Sequence, residues 1–111
     1  MINTDMKTSE FITEETGLRL KNLCTVKVNF PDADFWLQRK GSLKTVGTPL
    51  KEFYSENIGI KVVKTDVLDP KYLYYVMQHI KNTGYWEPRA NGSLNLVSIR
   101  TEDVANLPIG G

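Results

Sequence analysis

The stretch Asp69-Pro70-Lys71-Tyr72-Leu73-Tyr74-Tyr75-Val76-Met77-Gln78-His79-Ile80, DPKYLYYVMQHI, decides the fold class. Asp69 is a strong helix N-cap, because its carboxylate can accept a free backbone N–H of the first turn. Pro70 suits the first helical position, where a missing N–H costs nothing. Gly84, after Asn82-Thr83, supplies a C-terminal stop. The spacing predicts one helix over about 69–82. At about 100° per residue, Leu73, Val76, Met77 and Ile80 share one face and form a core stripe. Tyr72, Tyr75 and His79 line one border of that stripe, and Tyr74 lies on the other, near Lys81. A tyrosine at a stripe edge buries its ring and leaves its hydroxyl a polar partner. The stretch therefore reads as scaffold, with the Tyr72, Tyr75 and His79 edge kept as a protein-interface candidate.

Outward from this helix the chain reads as strands and turns. Leu18-Arg19-Leu20 and Cys24 to Phe30 alternate with period two, with Val26, Val28 and Phe30 on one side and Lys27 and Asn29 on the other. Pro31-Asp32-Ala33-Asp34 is a turn. Phe35 to Arg39, Phe53-Tyr54 and Ile58 to Val63 give further strand signals, with Leu43 to Pro49 a loop. Tyr85 to Ser93 carries loop chemistry, and Leu94 to Val97 is a short extended piece. Thr101 to Asn106 resembles a short helix with Thr101 as its cap. The expected architecture is an α+β (mixed α/β) single domain: a small mixed or antiparallel sheet, one main helix and a short C-terminal helix at about 101–106. Residues 1–16 read as a polar N-terminal segment, either a frayed end or a short helix starting at Ser9, and 17–111 as the domain.

Composition narrows the function classes. The 111 residues are 41% apolar and 24% charged, with net charge +1 from 14 basic and 13 acidic residues. That size matches one domain. The balance argues against an acidic DNA mimic and a strongly basic non-specific binder. No apolar run approaches the ~18 residues of a membrane span, no signal peptide is evident, and the expected location is cytoplasmic. The lone Cys24 sits in an apolar context and reads as a buried thiol.

Chemical motifs are sparse. One His and one Cys do not make a zinc ligand set, and the acidic residues lack calcium-loop spacing. GSLKTVG, Gly41 to Gly47, is not followed by Lys and Ser/Thr and opens no helix, so it does not read as a phosphate loop. His79 has no evident nucleophile or carboxylate partner. The expectation is a non-enzyme without metal or cofactor.

Recognition chemistry is better represented. Arg39, Lys40, Ser42, Lys44 and Thr45 form one basic, polar loop. Tyr85, Trp86, Arg89, Asn91, Ser93 and Asn95 form another. Arg and Lys suit phosphates and guanine edges, Asn suits adenine, and hydroxyls suit the backbone. Tyr85 and Trp86 suit base stacking or a protein interface. Composition alone leaves ordinary surface loops, nucleic-acid contact and protein contact open.

The order of elements adds a resemblance. DFWLQRKGSLKTVG, then IGIKVVKTDVLDPKYLYYVMQHI, then NGSLNLVSIRTEDVANLPI, resembles the target recognition domain of type I restriction–modification specificity subunits. The similarity covers about residues 33–109, and the LDPKYLYY block and LPI ending are its most specific parts. The resemblance implies a compact, non-catalytic module that reads half of a bipartite site in duplex DNA, with methylation and cleavage left to partner subunits. It implies that the Arg39-Lys40-Gly41-Ser42 turn and the Arg89 to Asn95 loop lie near DNA, and that the Tyr72 to Ile80 helix is scaffold. Specificity subunits join two such domains through long helices, whereas this sequence has no heptad segment. A solitary, shortened copy has three outlets: binding DNA, taking a place in a methyltransferase or restriction complex, or serving a phage or mobile element against restriction.

Overall fold

The computed structural model describes residues 17–93 and 95–109. The polar segment 1–16, with its alternatives of a frayed end or a helix starting at Ser9, lies outside the described residues. The elements in chain order are β1 (Cys24–Val28), β2 (Phe35–Leu37), β3 (Lys40–Gly41), β4 (Pro49–Leu50), β5 (Ile58–Val62), α1 (Pro70–Asn82), β6 (Asn91–Ser93), β7 (Leu96–Ser98) and α2 (Thr101–Ala105). Two short 3-10 turns, Leu20–Asn22 and Glu87–Arg89, complete them. The strands form two antiparallel sheets, β1-β5-β2-β4 and β3-β7-β6. With one main helix and a short C-terminal one, this is the expected α+β class.

Helix α1 forms for the reasons its sequence carries. The Asp69 carboxylate accepts from the Lys71 N–H, Pro70 opens the helix, and Thr83 closes it. Gly84 then turns the chain at φ +81°. Leu73, Val76, Met77 and Ile80 are buried, as the stripe requires. They meet Phe35, Leu37, Ile58 and Ile60 in one continuous core, which Leu20, Val104, Leu107 and Ile109 also enter. Strand β5 is buried at Ile58, Gly59, Ile60 and Val62. Its second face is covered by the Pro31 to Asp34 turn: a β-carbon on Gly59 would stand 2.8 Å from Phe30 Cβ and 2.9 Å from Ala33 Cβ.

Four local expectations are corrected. Leu18 to Leu20 is not a strand: Asn22 Oδ1 accepts from the Arg19 N–H at 2.7 Å, and a side chain that offers the backbone a local partner competes with a sheet ladder. Arg19 forms an isolated bridge to Pro108, flanked by backbone bonds from Leu20 to Leu107 and from Ile109 to Leu18. Strand β1 stops at Val28, because Asn29 takes φ +51° and its N–H turns to the Ser55 carbonyl at 2.8 Å. Val28 is exposed in consequence. Phe53-Tyr54 is not a strand either. The Tyr54 carbonyl accepts from the Asn57 N–H in a turn, and Phe53 leans on Trp36 at 6.0 Å between ring centroids. In α2 the cap position belongs to Arg100, with Thr101 inside the first turn.

Candidate nucleic-acid interface

The two polar loops come from opposite halves of the chain, and the second sheet puts them side by side. Strand β7 is the centre. On one side Lys40 pairs with Ser98 and Gly41 with Val97. On the other, Asn91 pairs with Ser98, Gly92 with Val97 and Ser93 with Leu96. Residues opposite one another in an antiparallel sheet share a face, and successive residues alternate. Val97 is buried, so Gly41 and Gly92 lie with it on the inner face. Lys40, Ser98, Asn91, Ser93 and Leu96 therefore form the outer face. Lys40, Asn91, Ser93 and Leu96 are exposed, Leu96 at 62%. Asn95, in the connection between β6 and β7, is exposed as well.

Neither glycine leaves room for a β-carbon, although Gly92 is itself exposed. A β-carbon at Gly41 would stand 2.5 Å from both Gln38 Nε2 and Thr45 Oγ1, and one at Gly92 would overlap the Leu96 carbonyl oxygen. The turn after β3 is built from its own hydroxyls. Thr45 Oγ1 accepts from the Ser42 N–H at 2.9 Å and from Gln38 Nε2 at 3.2 Å, and it lies 3.2 Å from Ser42 Oγ. Ser42 and Thr45 thus hold the turn rather than standing free. Lys44 projects from it, with 82% of its side chain exposed, and forms an ion pair with Glu87 at 3.3 Å. Such an exposed pair contributes little stability, but it ties the first loop to the second.

The remaining expected residues separate into two groups. Arg39 is half-buried and braces the other sheet: its Nε donates to the Glu56 carbonyl at 2.7 Å, and its backbone N–H donates to Asn57 Oδ1. Arg89 is exposed. Its guanidinium lies 3.7 Å from the Tyr85 ring centroid, and Nη1 donates to the Tyr85 carbonyl at 2.7 Å, which fixes its position. Trp86 corrects the expectation of an interface anchor. It is 1% exposed, sits directly against Gly47, and meets the Tyr85 ring edge-on at 4.9 Å. On α1, Tyr72 is half-buried, while Tyr75 and His79 are exposed. Tyr75 borders a cleft of about 550 Å³ that Asp34, Phe35, Lys51, Asp69, Lys71 and Tyr74 also line, whereas Tyr72 and His79 do not reach it.

The electrostatics distinguish the second sheet. Segments 39–50 and 88–101 hold Arg39, Lys40, Lys44, Arg89 and Arg100 and no Asp or Glu. With five of the chain's 14 basic residues there, the rest of the chain carries nine basic residues and all 13 acidic ones. Arg100 was not among the residues expected from loop chemistry. The signal that finds it is the acid-free run itself. Its guanidinium is 3.7 Å from Glu102, a loose pair with both side chains exposed.

Among the described residues no group of three or more His, Cys, Asp or Glu is placed to hold a metal ion, and no helix is long and apolar enough to cross a membrane. The Cys24 thiol is buried and pushed up from 9.0 to about 12, first by burial and then by the neighbouring Asp34 carboxylate. No protein-family model, curated protein or solved structure matches this chain.

Proposed function

We propose that the chain is a non-catalytic module that recognises duplex DNA through the outer face of the β3-β7-β6 sheet. The observation that supports it is the joining of two acid-free basic segments into one sheet. Phosphate contact needs cations without competing carboxylates, and base contact needs exposed amides and hydroxyls between them. Lys40 and Arg89 supply the first, and Asn91, Ser93 and Asn95 the second, while Lys44 and Arg100 are paired with Glu87 and Glu102. The assignment agrees with the resemblance to the target recognition domains of type I specificity subunits, in which partner subunits carry the chemistry. Fluorescence anisotropy with a random-sequence duplex tests it: binding is expected at about 50 mM salt and declines linearly on a log–log plot as salt rises. An absence of binding at low salt overturns the proposal.

A second reading, a protein-interaction module such as a phage factor acting on a restriction complex, draws on Tyr75. That side chain is 65% exposed beside the aromatic cleft. It predicts a nuclease-resistant partner in a bacterial lysate that Tyr75→Ala no longer retains. A partner retained equally by both forms counts against this use of the cleft.

A further inference from the structure

Resting on the DNA-binding proposal, we further propose that the β6–β7 pair reads an adenine and a thymine methyl group in the major groove. The groove admits a two-stranded β-ribbon. Strands β6 and β7 follow one another in the chain, pair antiparallel and end the sheet with β6 at an edge, so together they form a hairpin of the kind that can enter.

The chemistry on that ribbon selects the base pair. Residues 90–99 contain no charged side chain. The ribbon therefore offers neither the Arg or Lys that pairs with guanine nor the Asp or Glu that accepts from cytosine. It offers Asn91 instead. One Asn91 amide N–H donates to the Arg89 carbonyl at 3.3 Å. An amide has two N–H donors and one carbonyl. The second N–H and the carbonyl are left as the donor and acceptor that match adenine N7 and N6.

Leu96 supplies the other half. It stands on the same outer face, 62% exposed, and thymine alone presents a methyl group in the major groove. Asn91 is opposite Ser98, two residues along β7 from Leu96. That diagonal spacing is about 7–8 Å in a sheet, or roughly two base-pair steps at ~3.4 Å each. The ribbon thus reads an adenine and a thymine methyl no more than about two steps apart.

The experiment selects bound duplexes from a random pool and measures affinity for the enriched site with each thymine replaced by uracil and each adenine by 7-deazaadenine. Uracil at one position is expected to weaken the wild type about fourfold, the loss of one buried methyl, and to leave Leu96→Ala unaffected. Deazaadenine at a neighbouring position is expected to weaken the wild type roughly tenfold and to leave Asn91→Ala unaffected. Both side chains are exposed, and circular dichroism checks that the variants keep the fold. Salt-dependent binding without enrichment, or replacements whose effects persist in the variants, overturns this inference and leaves the DNA face standing. No binding to the pool at low salt overturns both.

Discussion

Gly47→Ala is expected to destabilise the protein by about 2–5 kcal/mol, and the structure sets both parts of that figure. Gly47 has φ +84°, a left-handed conformation that costs a residue with a β-carbon roughly 1–2 kcal/mol. That carbon would also overlap Trp86 Cδ1 and stand 2.6 Å from Nε1. Neither side can retreat freely. Trp86 is enclosed in the core, and the Gly47 N–H donates to the Gln38 carbonyl at 2.8 Å. Overpacking of this kind adds about 1–3 kcal/mol. At about 4 °C per kcal/mol for a domain of this size, the melting temperature falls by roughly 8–20 °C. Far-UV circular dichroism during a thermal scan, with a urea titration beside it, reads the change. In a Trp86→Leu background the cost of Gly47→Ala shrinks to the backbone part, a non-additivity that contacting residues show. A melting temperature within about 2 °C of wild type would refute the contact, as would strict additivity in the double variant.

Two further perturbations test other parts of the fold. Asp69→Ala removes the helix cap; because its bond to the Lys71 N–H is long, 3.4 Å, the loss is expected at the low end for caps, about 0.5–1 kcal/mol, read as a lower urea midpoint. Cys24 is expected to resist thiol reagents at about pH 8 in the native state and to react in urea, since burial holds its thiol protonated. Its pKa is raised on folding, so stability is intact below the unfolded value of 9.0 and declines as pH climbs toward about 12. Wild type should lose more stability over that range than Cys24→Ala, and equal losses would contradict the buried thiol.

What was legible in the sequence is what local chemistry decides. Asp69, Pro70 and Gly84 bound α1, and its stripe names the buried side chains, because capping and helical period act within a few residues. The run Ile58 to Val62 likewise reads as a strand. Trp86 was misread because its neighbours Tyr85, Glu87 and Pro88 suggest a surface loop. Its burial is decided by Gly47, distant in sequence but packed directly on its ring, where only a residue without a β-carbon leaves room. Phe53-Tyr54 has strand propensity, but no neighbouring strand takes it up, and propensity yields to tertiary context. The candidate face was half legible. The sequence presents its residues as two separate loops, yet the pairing of β3 and β6 on either side of β7 is a long-range event that neither loop encodes alone. Arg39 shows the converse. Its type suits phosphate, but its position one residue before outward-facing Lys40 turns it toward Glu56 and Asn57.

The slope of log affinity against log salt, measured for wild type and for Lys40→Ala on the same duplex, tests the central claim most directly. Lys40 is exposed on the outer face and makes no side-chain hydrogen bond or ion pair among the described residues. Its removal should leave the fold unchanged. With Lys40 and Arg89 on phosphates, the wild-type slope is expected near about −1.8, from ~0.9 per contact. Lys40→Ala should bring it to about −0.9, the loss of one contact. A flat wild-type plot, or a slope that Lys40→Ala leaves unchanged, would contradict the assignment of the β3-β7-β6 face to DNA.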